Sequence, residues 1–325
     1  MAGPVNTPAG AAITGVGMAV PERLVSNAEL AQRLGIDEQW IVKRTGTRVR
    51  PWASAGDRLS DFAARAGQAA LERAGVAASE LDLILVATTT ADEMAPNAAP
   101  LVAGLLGAGS AGAMDVGAAC TGWLAAMALA TGQIEAGRAR HVLVIGADFL
   151  SQFLDLSDRA TSVLFADGAG AAVISRQEIA PGEAIGPVIL HADAAGAELI
   201  RLERGGPIQM QGSETFRAAV DRMSRVTDEA LEAAGVVKEE IDLFVYHQAN
   251  SRILKAVGER LGLPGERVVD YVGRFANSST ATLPIALTTA EREGRLRTGD
   301  RVLLSAFGGG FTWGATVVRW SAANQ

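Results

Sequence analysis

The chain repeats part of its own sequence at a fixed offset of 160 residues. The repeated pieces are a helix-like segment, the acidic turn after it, and two apolar runs. They pair residues 71–76 with 231–236, residues 80–83 with 240–243, and residues 142–143 with 302–303. Because a single offset joins separated matches, coincidence between two common helix-turn-strand units is the weaker explanation. We therefore predict two related halves, residues 1–180 and 181–325.

Each half contains an apolar, β-rich run that is typical of a buried strand, at residues 81–87 and 241–246. Helix-like segments alternate with such runs, which favours an α/β fold of layered helices and sheets. The hydrophobic share of 49% and the charged share of 20% fit a globular protein, and 325 residues can bury a large core.

Cys120 is the single cysteine of the chain, and it lies between an apolar strand-like run and a helix that we predict from residue 121 to about 135. The N–H groups at the start of a helix bias a thiol toward the thiolate. Lone cysteines are more often small buried hydrophobes. Here, however, an apolar helical stripe through Leu124, Met127 and Ile134 fixes the position of the thiol, so we predict a nucleophile.

His247 and Asn277 also follow strand-like runs, residues 241–246 and 268–272. Cysteine, histidine and asparagine together suggest acyl-thioester chemistry. Taken alone, His247 fits a capping histidine as well as a catalytic one. The offset places it opposite Ala87, so it sits at the end of a strand, where sites form in layered α/β proteins. His141 and His191 have no partner motif, and we expect both to be structural.

Several other classes of function are disfavoured. The glycines of residues 107–112 precede a strand, whereas a dinucleotide fingerprint follows one, and no phosphate-loop motif is present. The histidines and the cysteine are too scattered for a metal cluster. A net charge of −7 argues against nucleic-acid binding. We find no secretory or membrane-spanning pattern and expect a cytoplasmic protein that does not act at a membrane.

Seven motifs together resemble the β-ketoacyl-[acyl-carrier-protein] synthase III family of the thiolase superfamily, over nearly the whole chain. They are Trp40-Ile-Val-Lys-Arg-Thr-Gly, Ala118-Ala-Cys-Thr-Gly, Asp158-Arg-Ala-Thr, Phe165-Ala-Asp-Gly-Ala-Gly, His247-Gln-Ala-Asn-Ser-Arg, Asn277-Ser-Ser and Phe307-Gly-Gly-Gly-Phe-Thr-Trp-Gly. The resemblance implies a thiolase-like five-layer αβαβα fold of two duplicated halves, a homodimer, and a catalytic triad of Cys120, His247 and Asn277.

The resemblance also implies a decarboxylative Claisen condensation that starts fatty-acid or polyketide-type chains. Cys120 would take the acyl group of an acyl-CoA, with backbone N–H groups of Cys120 and Gly309 binding the oxyanion. His247 and Asn277 would then stabilise the enolate of a malonyl-carrier protein, and apolar Phe307 would favour loss of its carboxylate. No permanently bound cofactor or metal is implied; acyl-CoA is a substrate.

Contacts with CoA carry over in the same way. The resemblance implies that Trp40 and Arg159 sandwich the adenine of CoA, with Arg44 near the phosphates and Asn250 also in the CoA site. The alternative for Arg44 is a solvated charge run. Arg252 and Lys255, one helical turn apart, would dock the acidic acyl carrier protein.

Three positions depart from the family pattern. Ala95 stands where a bulky residue usually crosses the dimer interface to close the acyl pocket, so we expect starters longer or more branched than acetyl unless Met94 fills the gap. Ala276 replaces a glycine and Ser278 a threonine on either side of Asn277. Two other functions therefore stay open: an acyltransferase that passes the acyl group from CoA or a carrier protein to an alcohol or amine, and a non-catalytic binding subunit.

Overall fold

The computed structural model describes residues 9–322 and has the layered α/β architecture expected from the sequence. The helices are α1 (Asn27–Leu34), α2 (Glu38–Thr45), α3 (Leu59–Ala74), α4 (Ala98–Leu106), α5 (Gly122–Glu135), α6 (Gly212–Ala234), α7 (Ser251–Leu261), α8 (Val272–Phe275) and α9 (Thr282–Arg292). The strands are β1 (Gly10–Ala19), β2 (Leu24–Ser26), β3 (Val49–Pro51), β4 (Leu83–Ala87), β5 (Gly112–Val116), β6 (His141–Phe149), β7 (Asp167–Gln177), β8 (Ile189–Ala192), β9 (Ile200–Leu202), β10 (Ile208–Met210), β11 (Leu243–Tyr246), β12 (Arg301–Gly308) and β13 (Thr312–Arg319).

Two mixed sheets repeat one topology. The first has the order β1-β7-β6-β4-β5 and the second the order β8-β13-β12-β11. In the first sheet Leu83 pairs with Val142 in parallel, and in the second Leu243 pairs with Val302. Both partners shift by the same 160 residues, so the duplication read from the sequence is present in the strand register itself.

The strand predicted over residues 268–272 is wrong. Only Val268 bridges to β11, through Phe244, at the place where β5 flanks β4 in the first sheet. The chain then turns, because Asp270 accepts a hydrogen bond from Val272 N at 3.1 Å and α8 begins at Val272. The segment before Asn277 is therefore a short helix.

The helices form three layers around the two sheets. Helices α3 and α4 pack on the first sheet, α6 and α7 on the second, and α5 and α9 lie between the sheets. Trp123, Leu124 and Met127 of α5 are all fully buried, as a helix with apolar residues on nearly every side requires. Since both halves share this central core, a boundary at residues 180/181 stays a prediction.

A smaller unit covers one end of the sheets. It consists of α1, α2 and the two-stranded sheets β2–β3 and β9–β10, packed with Leu150 and residues 163–165. Asp37 caps α2 by accepting from Gln39 N at 3.0 Å, and Gly46 ends the helix in the left-handed conformation. Across residues 9–322, no helix combines the length and apolarity that a membrane span demands.

Candidate active site

Cys120 lies on a tight turn that the duplication repeats. Ala119 and Ser279 are 160 residues apart, and both have positive φ, +45° and +51°. Each begins a 3₁₀ turn, Ala119–Thr121 or Ser279–Ala281, that leads into a central helix, α5 or α9. These two turns contact each other. The candidate site therefore forms where the N-termini of the two buried helices meet.

Two glycines allow backbone to approach these turns closely. A Cβ on Gly308, the last residue of β12, would lie 2.7 Å from Cys120 N. A Cβ on Gly146 in β6 would lie 2.3 Å from the carbonyl oxygen of Thr280. Only glycine fits at either position. These contacts set the turn of Cys120 against the second sheet and the turn of Ser279 against the first.

One cavity brings the three proposed catalytic residues together. Cys120, His247 and Asn277 all line a cavity of about 490 Å³, and Phe307 lines it as well. Asn277 Oδ1 accepts from Ser279 N at 2.9 Å, which orients the amide and leaves its N–H donors for a substrate. The juxtaposition expected from the sequence is thus present, although the residues come from three separate stretches of chain.

His247 is held by α9. Its Nδ1 lies 2.6 Å from Thr282 Oγ1, and the Thr282 hydroxyl donates to the carbonyl oxygen of Ser279 at 3.0 Å. Burial lowers the pKa of His247 to about 4, so the imidazole is neutral at physiological pH. Thr282 escaped the sequence analysis, since nothing local marks it as the partner of a histidine 35 residues away.

The thiol of Cys120 differs from the expectation of a bias toward thiolate. Burial raises the pKa of Cys120 to about 11; the Ser279 hydroxyl and the backbone N–H groups of Cys120 and Gly309 act in the opposite direction. Desolvation is the largest of these influences, so the net shift of the Cys120 pKa is upward. In the absence of substrate, the thiol is protonated. The same two N–H groups are the oxyanion donors implied by the family resemblance.

The residues equivalent to Cys120 and His247 in the duplication form a second cluster, which contains a buried carboxylate. Thr280, the counterpart of Cys120, donates to the carbonyl oxygen of Ala87, the counterpart of His247, at 3.0 Å. Asp148 is fully buried beside them and accepts from Thr280 Oγ1 at 3.0 Å. Its other oxygen accepts from the hydroxyls of Thr88, Thr89 and Thr90. This network was not predicted from the sequence, although three consecutive threonines directly after a strand could have indicated a buried hydrogen-bond acceptor.

The residues assigned to CoA lie at the same cavity. Trp40, Arg44 and Arg159 line it, and each guanidinium carbon lies 5.7 Å from the centroid of the Trp40 ring. Asn250 also lines the cavity, but its side chain is already engaged. It accepts from Arg252 N at 2.8 Å, which caps α7, and donates to the carbonyl oxygen of Arg44 at 3.1 Å.

The residues assigned to carrier-protein docking are exposed on α7. Arg252 lines the cavity, and its guanidinium carbon lies 5.3 Å from the centroid of the Phe216 ring. Lys255 pairs with Glu259 at 3.7 Å, an exposed pair that contributes little to stability.

A second cavity, of about 830 Å³, also has Cys120 in its lining. Ser279, Gly309 and Met94 line this cavity as well. Ala95 is exposed and does not line this cavity in the single chain. Its place in the pocket of a partner subunit stays a prediction.

The remaining histidines have local partners. His141 Nδ1 lies 2.9 Å from Ser175 Oγ, and His191 Nε2 lies 2.6 Å from Glu229 Oε2. Neither lines the two cavities at Cys120. In the described part of the chain, no three histidine, cysteine or acidic side chains are grouped so that they could hold a metal ion.

Comparisons with known proteins agree with the resemblance seen in the sequence. The family model for 3-oxoacyl-[acyl-carrier-protein] synthase III matches residues 114–194, and the model for its C-terminal part matches residues 231–320. A protein named beta-ketoacyl-[acyl-carrier-protein] synthase III from Rhizorhabdus wittichii is 44% identical over 95% of this chain and 99% of its own length. The crystal structure of 3-oxoacyl-[acyl-carrier-protein] synthase III from Aquifex aeolicus is 40% identical, with a TM-score of 0.93 over 96% of this chain and all of that one. The priming β-ketosynthase of the R1128 polyketide pathway is 33% identical, with a TM-score of 0.93 over 98% and 99% of the two chains.

Proposed function

This chain belongs to the 3-oxoacyl-[acyl-carrier-protein] synthase III family and has its thiolase-like five-layer fold, and we propose that it condenses an acyl-CoA with a malonyl-carrier protein. The reaction starts a fatty-acid or polyketide-type chain. The observation that carries the proposal is the single cavity in which Cys120, His247 and Asn277 meet. In this scheme the chain is an acyltransferase, and acyl-CoA is a substrate and not a resident cofactor.

The first half-reaction loads the enzyme. Cys120 loses its proton and attacks the thioester carbonyl, so a carbon–sulfur bond to Cys120 forms while the bond to CoA breaks. The proton leaves with the CoA thiol. The N–H groups of Cys120 and Gly309, which lower the thiol pKa, are placed to bind the oxyanion of the tetrahedral intermediate.

The second half-reaction makes the carbon–carbon bond. Loss of carbon dioxide from the malonyl group leaves an enolate, which attacks the acyl carbon on Cys120 and expels the thiolate, and a proton restores the thiol. Asn277 and His247 donate to the enolate oxygen. For a neutral His247 this requires a proton on Nε2, so the Thr282 hydroxyl must turn from Ser279 O to donate to Nδ1. Buried Phe307 disfavours the malonyl carboxylate and so promotes its loss.

Binding and assembly extend the proposal. Trp40 and Arg159 hold the adenine of CoA, Arg44 approaches its phosphates, and exposed Arg252 and Lys255 receive an acidic carrier protein.

Strand β5 is at the edge of the first sheet, and Met94, Leu105 and Met114 near it are exposed large apolar side chains. We assign this edge to a homodimer contact. The location is the cytoplasm, where a free thiol stays reduced.

The products separate condensation from its alternatives. With acyl-CoA and malonyl-carrier protein, we expect one carbon dioxide released per β-ketoacyl-carrier protein formed, measured by trapped gas and intact mass. Ester or amide formation without carbon dioxide would instead identify an acyltransferase acting on an alcohol or amine. Absence of any acyl adduct would identify a binding subunit.

The starter preference follows from the second cavity. Its volume of about 830 Å³ beside Cys120, with flexible Met94 in the wall, supports starters longer or more branched than acetyl. We expect isobutyryl- or hexanoyl-CoA to match or exceed acetyl-CoA in kcat/KM. We also expect Ala95→Phe to move the preference toward acetyl by roughly tenfold, the scale of one or two methylenes in an apolar pocket. A wild-type enzyme that turns over only acetyl-CoA would contradict this prediction.

A further inference from the structure

Ser279 contacts the machinery around all three proposed catalytic residues. Its N–H donates to Asn277 Oδ1 at 2.9 Å, and its carbonyl oxygen accepts from Thr282, the residue beside His247 Nδ1. Its hydroxyl donates to Cys120 Sγ at 3.4 Å. This hydroxyl therefore contacts the reacting sulfur directly.

We propose that Ser279 is a further catalytic residue, whose hydroxyl stabilises the Cys120 thiolate both when it attacks acyl-CoA and when it leaves the acyl-enzyme. The inference rests on the nucleophilic role of Cys120 in the proposed function. Within residues 9–322, Ser279 supplies the one side-chain hydrogen bond that the structure makes to this sulfur. A hydroxyl donor compensates an anion that has lost water through burial.

The position of the hydroxyl is fixed by the network around Asp148. The next residue, Thr280, donates to Asp148 Oδ2 through its N–H at 3.2 Å and its hydroxyl at 3.0 Å. Ser279 itself is buried and has a φ of +51°, a conformation that side-chain-bearing residues seldom adopt. The buried carboxylate thus holds a strained turn whose serine points at the sulfur of the other half.

The chain allows a direct test because Cys120 is its only thiol. Alkylation by iodoacetamide, followed by intact mass across pH, reports the thiolate of this residue alone. Ser279→Gly removes the hydroxyl, keeps the backbone N–H and carbonyl, and suits the positive φ. We expect its alkylation rate at pH 7 to fall about 10- to 100-fold, the effect of a hydrogen bond to a charged group. Its profile should be shifted to higher pH, so that at every pH from 7 to 10, below the pKa of the wild-type thiol, its rate stays below the wild-type rate by this factor.

Ser278→Ala is the matched control. Ser278 is also buried, and its Oγ has no hydrogen-bond partner among the described residues. We expect its profile to follow the wild type. Ser279→Ala provides a second hydroxyl deletion and should reproduce the shift of Ser279→Gly, with folding of all variants checked by circular dichroism.

An unchanged profile in either Ser279 variant would overturn the inference, and so would an equal loss in Ser278→Ala. Alkylation does not require carrier protein or decarboxylation. If the wild type released no carbon dioxide while the Ser279 variants showed the shift, the proposed condensation would fail, and stabilisation of the Cys120 thiolate by Ser279 would stand.

Discussion

Cys120→Ala will form no acyl adduct with any acyl-CoA and will make no β-ketoacyl-carrier protein. The side chain supplies the bond to the acyl group, and no second thiol exists to replace it. The loss in product formation should be on the order of 10⁶-fold, as when nucleophiles are removed from other covalent enzymes. Intact mass after incubation with acyl-CoA and product analysis of the condensation measure the two effects.

Cys120→Ser is the matched variant for this experiment. It keeps a nucleophilic atom of similar size but a much weaker one at neutral pH, so we expect slow acylation and a trapped ester. An acyl adduct on Cys120→Ala at the wild-type rate would place the nucleophile elsewhere. Thermal unfolding of both variants should match that of the wild type, which separates loss of chemistry from loss of structure.

Asn277→Asp will separate the two half-reactions. The variant keeps an oxygen that can accept from Ser279 N but replaces the donating amide by a carboxylate. Acylation of Cys120 should fall far less than condensation, because the oxyanion donors of that step are backbone N–H groups and the new carboxylate slows it only by raising the pKa of the thiol. Condensation should fall by about 10²- to 10³-fold, the usual cost of one oxyanion donor. Pre-steady-state acylation and steady-state product formation give the two rates.

Asn277→Ala provides the companion measurement. It removes the acceptor as well as the donors, so any excess loss over Asn277→Asp reports the orientation of the Ser279 turn. Condensation by Asn277→Asp at the wild-type rate would show that the amide does not serve the enolate. Equal losses in acylation and condensation would show that the variant disturbs the whole site.

The layered fold and the proximity of Cys120 to His247 could be predicted from the sequence, because duplicated segments occupy equivalent positions in the fold. Once residues 83 and 243 occupy equivalent strands, the ends of those strands and the turns before α5 and α9 become equivalent as well. Cys120 is then equivalent to Thr280, and His247 is equivalent to Ala87. The Thr280 hydroxyl donates a hydrogen bond directly to the carbonyl oxygen of Ala87. The meeting of Cys120 and His247 in one cavity follows from this symmetry.

What the sequence did not predict depends on burial and on long-range contacts. The protonated state of Cys120 arises from desolvation, which no local motif reveals. Asp148 is separated from Thr280 by 132 residues, and its carboxylate acquires a role only after folding. The run of residues 268–272 is apolar enough for a strand, yet one hydrogen bond to Asp270 turns the chain out of the sheet.

The central claim is that one site both forms the acyl-cysteine and consumes it by condensation. A single-turnover chase tests this claim most directly: enzyme loaded with an acyl group is freed of CoA and mixed with malonyl-carrier protein. We expect the acyl mass to leave Cys120 at the rate at which carbon dioxide and β-ketoacyl-carrier protein appear, in equal amounts. An acyl group that stays on Cys120, or leaves without carbon dioxide and carbon–carbon bond formation, would contradict the account.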